Sequence, residues 1–378
     1  MKSGYKQLGE YIRQVDVRNK EGKEENLLGV SVNKKFIPSI ANTVGTDFTK
    51  YKVVKKGQFT YIPDTSRRGD KIGIALLKDY DEGLVSNVYT VFEVIDENKL
   101  LPDYLMLWFS RPEFDRYARF KSHGSVREIF DWDEMCKVEL PVPDIEEQKK
   151  IVHAYKVIED RINLKKRINE NLENQISAVY HLLFDEQDSW DIGCISDIGE
   201  VVSGATPSTN IAEYFCSEEG IVWLTPKDLT SNGNKFIYKG ELDITEEGYK
   251  SCSTTLLPEG TVLLTSRAPV GCVAVAKTKL CTNQGFKSII PRENFGTAYI
   301  YSFLKENKKL LENNASGTTF LEISGTVLKN LPIRIPPKEL IIRFNKFSMP
   351  IFSYQEHIEL EIKELQQLQN ILRNQISN

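Results

Sequence analysis

The sequence predicts an α+β fold made twice: a mixed strand-and-helix domain leading into a long helix, then the same plan again. Three observations predict it. Leu172-Glu173-Asn174-Gln175-Ile176-Ser177 returns as Leu372-Arg373-Asn374-Gln375-Ile376-Ser377, and Ile158 and Ile162 return at the same offset as Ile358 and Ile362. Each copy sits in a segment whose apolar residues keep a four-three spacing, and each segment follows a proline-rich exit. The stretches before the two helices also share landmarks in one order. A repeat of this size means two copies of one unit. Such a chain has a pseudo-twofold axis, which suits a twofold ligand, and double-stranded DNA is the commonest of these.

The bulk numbers set the frame. At 378 residues the chain is too long for one ordinary core and fits two domains with connecting helices. Its 40% apolar and 27% charged content is that of a globular protein. No apolar run approaches the ~18 residues of a membrane span, and no signal-peptide core follows Met1-Lys2-Ser3-Gly4-Tyr5-Lys6. The six cysteines lack close pair spacing and read as reduced thiols in a cytosol; the four histidines are isolated, so no metal site is expected. A net charge of −4 argues weakly against nucleic acid. Its distribution softens that: Lys50, Lys52, Lys55, Lys56, Arg67, Arg68 and Lys71 make one basic run, and Arg111, Arg116, Arg119, Lys121 and Arg127 another. Either run also reads as a solvated face.

In the first half, Tyr51-Lys52-Val53-Val54, Ile72-Gly73-Ile74-Ala75-Leu76-Leu77 and Val88–Val94 read as strands from their β-branched, alternating character. Pro102-Asp103 opens a helical pattern ending near Arg111-Pro112, and a second short helix covers Pro112 to Phe120. Leu140-Pro141-Val142-Pro143 is a stiff, extended exit. Asp144 then caps a helix with Glu146 and Glu147 in its first turn. With no proline or glycine until Gly193, that helix runs to about Phe184. Its seam of Ile151, Ile158, Ile162, Leu172, Ile176, Val179 and Leu183 is interrupted by Lys165 and Asn169, the pattern of a coiled coil whose register is specified.

The second half repeats the landmarks. Gly260–Arg267 matches Gly57–Ile62 and the arginines after it, Gly271–Ala276 matches Gly73–Leu76, and Thr282-Asn283 matches Ser86-Asn87. The helix at Tyr299–Leu304 matches that at Tyr104, and Gly317–Ile323 matches Gly124–Ile129. Ile335-Pro336-Pro337 launches a second long helix from about Glu339, with an interruption expected at Pro350 and a face of Ile358, Ile362, Leu365, Leu372 and Ile376. The segments are 1–142 and 186–335 for the globular domains and 143–185 and 336–378 for the helices.

With this order established, the chain resembles the specificity subunits of type I restriction-modification enzymes over its whole length. Leu140-Pro141-Val142-Pro143 with Glu146–Ile151 resembles the family's first conserved helix start. Gly204-Ala205-Thr206-Pro207-Ser208, Trp223–Leu229 and Leu264–Gly271 resemble stations of its recognition domain. The second proline exit departs, with isoleucine in the place of Gln148, and the first domain lacks the Gly-x-Thr-Pro-Ser station. The resemblance implies two target-recognition domains separated by two long helices forming an antiparallel coiled coil. It implies a non-catalytic, cytoplasmic subunit reading a split target in double-stranded DNA, with no cofactor of its own. The partners it implies are two methyltransferase subunits using S-adenosylmethionine and, where present, two restriction subunits using ATP and Mg. Helices of about forty residues span about 60 Å, more than the ~34 Å turn of DNA, and would set the gap between half-sites.

Candidate DNA contacts follow from chemistry and place. Arg67, Arg68 and Arg267 follow a strand and precede a glycine turn, where a guanidinium can pair with guanine or phosphate; a surface salt bridge is the plainer alternative. Lys52, Lys55, Lys56 and Lys71 come from the first basic run, and Thr206, Ser208, Lys227, Ser266, Asn283, Gln284 and Lys287 from the second domain. Ser125 and Thr318 lie in repeated small-residue turns, and Phe320 is either a wedge or a core aromatic. For the helix pair the candidates are Ile158, Ile162, Leu172, Ile176, Ile358, Ile362, Leu365, Leu372 and Ile376.

Two rival readings stand beside this one. A stand-alone DNA methyltransferase needs a glycine-rich cofactor loop and an Asn/Asp-Pro-Pro-aromatic segment, yet the Pro336-Pro337 pair follows Ile335. The other is a duplicated coiled-coil scaffold that binds protein partners only; strong salt dependence of DNA binding would count against it.

Overall fold

The computed structural model of the chain describes residues 4–39, 45–66, 69, 71–124, 128–185, 189–317 and 321–376. Two compact units emerge, one of Met1–Ile162 with Glu364–Asn378 and the other of Asn163–Lys363. Each contains part of both long helices, Ile145–Phe184 and Lys338–Gln375.

The first unit is built on an antiparallel sheet in the order Ile12–Val15, Thr90–Val94, Phe59–Tyr61, Ile74–Leu76. Helices Pro102–Phe109, Pro112–Lys121 and Trp132–Cys136 follow it. Both longer helices start with proline, which loses nothing at a position whose N–H has no helical partner. Phe59 stacks on Phe92 at 4.9 Å between ring centres, and Phe109 meets Phe59 edge-on at 5.8 Å, so sheet and helix share one apolar core. Strand Tyr5–Gln7 pairs antiparallel with Glu139–Pro141. The chain then leaves through Pro143, and Asp144 accepts the Glu147 backbone N–H at 2.9 Å to cap the first long helix.

The second unit repeats this plan. Its sheet runs Gly199–Ser203, Lys287–Pro291, Val262–Leu264, Val273–Ala276, with Phe236–Ile237 added in parallel at the edge. Helices Gly296–Glu306, Lys308–Asn313 and Gly325–Lys329 follow, and strand Ile192–Cys194 pairs with Pro332–Arg334 before the second long helix. A mixed four-stranded sheet of Phe215–Cys216, Leu242–Ile244, Ile221–Leu224 and Cys281–Thr282 is added. The first unit has instead a separate antiparallel pair, Lys52–Lys55 with Glu82–Val85.

The repeat extends to backbone detail. Gly57 and Gly260 both have φ of +86°, and their N–H groups donate to Leu77 at 2.9 Å and Ala276 at 2.8 Å. Gly124 and Gly317 stand at +139° and +130°, a region that disfavours a side chain. Around those turns the same bridges recur: Asp64 and His123 each meet Ile129, and Arg267 and Ser316 each meet Glu322.

The second long helix is continuous through Pro350, where the sequence had suggested a break. Proline removes one N–H and crowds the carbonyl four residues earlier. Pro350 is exposed, whereas Phe344, Ser348 and Phe352 on either side are buried. Packing on both flanks therefore carries the helix across the defect.

Candidate nucleic-acid interface

In the second unit the separate sequence stations fold into one loop cluster. Gly204 brings the first loop against Thr282 and Asn283; a Cβ there would lie 2.1 Å and 2.2 Å from their carbonyl oxygens. Ala205 N–H donates to the Thr282 carbonyl at 2.9 Å, and the Ala205 carbonyl accepts the Trp223 indole N–H at 3.0 Å. The Thr206 hydroxyl donates to the Gln284 side-chain carbonyl. Asn283 turns the chain by accepting the Gly285 N–H at 2.8 Å, and its own N–H donates to Leu224 at 2.9 Å. Gly285 leaves room for Pro226, the first residue of helix Pro226–Asn232. Asp228 closes that helix start by accepting the Thr225 N–H and hydroxyl, both at 2.7 Å. Ser208 and Lys227 are exposed, and Lys227 pairs with Glu241 at 2.8 Å.

A second tier lies behind. Ser266 N–H donates to Gly285 at 2.8 Å, and Ile323 N–H donates to the Ser266 carbonyl at 3.0 Å. Arg267 pairs with Glu322 through the backbone, and its guanidinium lies 3.6 Å from that carboxylate. On the other side the Lys287 ammonium lies 3.9 Å from the same carboxylate and donates to the Gln284 and Phe286 carbonyls at 3.1 and 3.3 Å. Burial pushes the Lys287 pKa down; the Arg267 charge adds to this and Glu322 opposes it. The Ser266 hydroxyl is fully buried without a hydrogen-bond partner. Thr206, Ser266, Arg267, Asn283, Gln284 and Lys287 are thus neighbours.

In the first unit the cations are dispersed. Lys52 is buried, with its ammonium donating to the Tyr89 carbonyl at 2.8 Å, and burial lowers its pKa. It braces the interior. Lys55, Lys56 and Lys71 are exposed, Lys56 lying 3.9 Å from Asp81. Arg119 lies 2.6 Å from Glu128 and donates to the Thr65 carbonyl at 3.0 Å, and Thr65 donates to Ser122 at 2.8 Å. Arg67, Arg68, Ser125, Thr318 and Phe320 lie outside the described residues.

Attention to cations missed the carboxylates that hold them, Glu322 and Glu128. The signal was in the repeat: each follows the glycine turn that recurs in the matched segments, Gly317–Ile323 and Gly124–Ile129.

Along the helices Ile162, Ile176, Ile358, Leu365 and Ile376 are buried, and Ile158, Leu172, Ile362 and Leu372 half-buried. Inside the second unit Lys165 pairs with Glu361, while Gln355 donates to the Asn169 carbonyl at 3.3 Å and to Glu173 at 3.0 Å. One helix rises in number as the other falls, so the two segments run antiparallel there. No described helix is long and apolar enough to cross a membrane.

Comparison with known proteins gives a consistent picture. Residues 8–174 and 187–371 each match the type I restriction modification DNA specificity domain. The type I restriction enzyme MjaIX specificity subunit of Methanocaldococcus jannaschii is 46% identical over 152 residues, covering 40% of this chain and only 35% of that relative. The HindI specificity subunit of Haemophilus influenzae is 22% identical, covering 93% of this chain and 92% of its own. The crystal structure of the type I restriction-modification system S subunit from M. genitalium superimposes with a TM-score of 0.61 at 13% identity, covering 99% of this chain and 96% of that one.

Proposed function

The chain belongs to the type I restriction-modification DNA specificity family, and from that premise we propose that it reads a bipartite DNA target, one half through each recognition domain. The observation that carries this reading is the double family match in one chain, over residues 8–174 and 187–371. The loop cluster of the second unit supplies suitable chemistry: amide and hydroxyl side chains for base edges, with Arg267 and Lys287 for phosphate or guanine.

The same reading assigns the chemistry to partners. The chain selects the site, two methyltransferase subunits use S-adenosylmethionine to modify it, and restriction subunits using ATP and Mg join where present. The exposed faces of the long helices, including Leu164, Leu182, Ile342 and Met349, are apolar surface for such partners. Helix length would set the gap between the half-sites.

A genome-wide map of N6-methyladenine with and without this gene tests the proposal. Loss of methylation at one split motif is the expected result. An unchanged map in a cell whose neighbouring methyltransferase is expressed and co-purifies with this chain would overturn it.

A further inference from the structure

The Arg267–Glu322–Lys287 group has an arrangement that a simple surface salt bridge does not explain. One carboxylate faces two cations, at 3.6 and 3.9 Å, both beyond ordinary hydrogen-bond reach. Lys287 has only 10% of its side chain exposed, while Arg267 and Glu322 are 36% and 38% exposed, so the group opens to solvent on the Arg267–Glu322 side. The backbones beneath are fixed: Glu322 exchanges hydrogen bonds with Ser316 at 2.9 and 3.0 Å, and Ile323 donates to Ser266. Two cations facing one carboxylate on a fixed backbone, open to solvent on one side, make a seat for a tetrahedral anion.

We infer that Arg267 and Lys287 form a seat for a DNA backbone phosphate, and that the Glu322 carboxylate is an internal occupant which the phosphate must displace. The inference rests on the DNA reading above and adds a residue which that reading does not include. Phosphate contacts dominate non-specific affinity. An internal competitor at such a contact therefore weakens binding to any duplex, and sequence-specific contacts must make up the difference. Glu322 is in this sense a specificity-determining residue that touches no base.

The test uses the full chain assembled with its methyltransferase partners and a mixed-sequence duplex of about 30 base pairs, three turns of DNA, titrated by fluorescence anisotropy over a range of salt. Glu322→Gln keeps the shape and removes the charge. Its expected effect is tighter non-cognate binding by roughly five- to tenfold at low salt, with a log–log salt slope steeper by about 1. Arg267→Gln added to Glu322→Gln should cancel the gain. A Glu322→Gln complex that binds no tighter, with unchanged slope, would overturn the inference. Should that variant misfold, Glu322→Ser makes the same prediction and is judged the same way. If the unaltered complex shows no salt-dependent DNA binding, the DNA reading itself fails.

Discussion

Glu173 and Arg373 stand at equivalent positions of the two long helices, and each ties its helix to the globular elements of its own unit. Glu173 holds the Lys235 ammonium at 2.8 Å and that of Lys305 at 2.5 Å, while Arg373 donates to the Ser110 carbonyl at 3.2 Å. Their neighbours correspond as well: Gln355 donates to Glu173, and Arg373 donates to Tyr155, so each contact is the mirror of the other in sequence. The two copies keep the position of the tie and reverse its charge.

Lys235 shows what the tie costs. Its side chain is 6% exposed, and its ammonium lies 3.4 Å from the centre of the Phe352 ring and donates to Glu173 and Gln355, each at 2.8 Å. Glu173→Gln removes the counter-charge and leaves the cation buried; the expected loss of second-unit stability is about 3 kcal/mol. Lys235→Met removes the same ion pair but leaves Glu173 with Lys305, and should cost about 1 kcal/mol or less. Urea unfolding followed by a probe in the second unit distinguishes the two; equal losses would contradict the account.

The pH dependence of that difference has a defined sign. Burial alone would raise the Glu173 carboxyl, but the Lys235 and Lys305 charges hold it at about 2, against an ordinary 4.5. Between those values the unfolded chain binds more protons, so this stability is present above 4.5 and is lost as pH falls toward 2. Burial, partly offset by Glu173, brings Lys235 down to about 8 from 10.5. Between 8 and 10.5 the unfolded chain again holds more protons, so the cost of a buried ammonium declines as pH rises through that window. The gap between the wild-type chain and Glu173→Gln should narrow as pH falls from 4.5 toward 2, and narrow again toward 8, because Lys235 without Glu173 beside it loses its proton below that value in the variant. A gap that is flat from pH 3 to about 9 would rule this out.

Gln148 has no exposed surface; it accepts the Leu101 N–H at 2.9 Å and donates to the Lys99 and Pro143 carbonyls at 2.8 and 2.9 Å. Gln148→Leu orphans all three groups and should destabilise the first unit by about 2 kcal/mol. Faster hydrogen exchange at the Leu101 amide, with the second unit unchanged, is the measurement.

Gly204→Ala pushes the loop bearing Thr206 and Ser208 away from Thr282, because the contact is with backbone and cannot rotate aside. The variant should keep its circular dichroism and lose methylation at the motif's second half-site specificity, leaving the other half read as before. Loss of both halves in an assembled complex would contradict independent reading by two domains.

Much of this architecture is legible in the sequence. Asp144, the run free of proline and glycine, and the seam spacing predict the helix Ile145–Phe184, because those signals are local. The replacement of Gln148 by Ile341 in the second copy was visible, but its remedy was not. Asn345, one turn further on, accepts the Tyr299 N–H at 3.2 Å and donates to the Phe295 carbonyl at 2.7 Å, supplying the helix start that Gln148 supplies in the first copy. Compensation of that kind depends on three-dimensional neighbours. Lys52 is a different case: it lies two residues from fully buried Val54 on one face of a strand, so the alternation already pointed inward.

The division of the chain into units has a consequence for synthesis. Residues Asn163–Lys363 form an uninterrupted stretch, whereas the unit that begins the chain also takes in Glu364–Asn378, including Ile376 in its core. A ribosome therefore releases everything the second unit requires before the first can be finished. The earlier-made domain can start first as usual, since its core is otherwise drawn from Leu8 to Leu140, but its last contacts form only with residues translated after its twin.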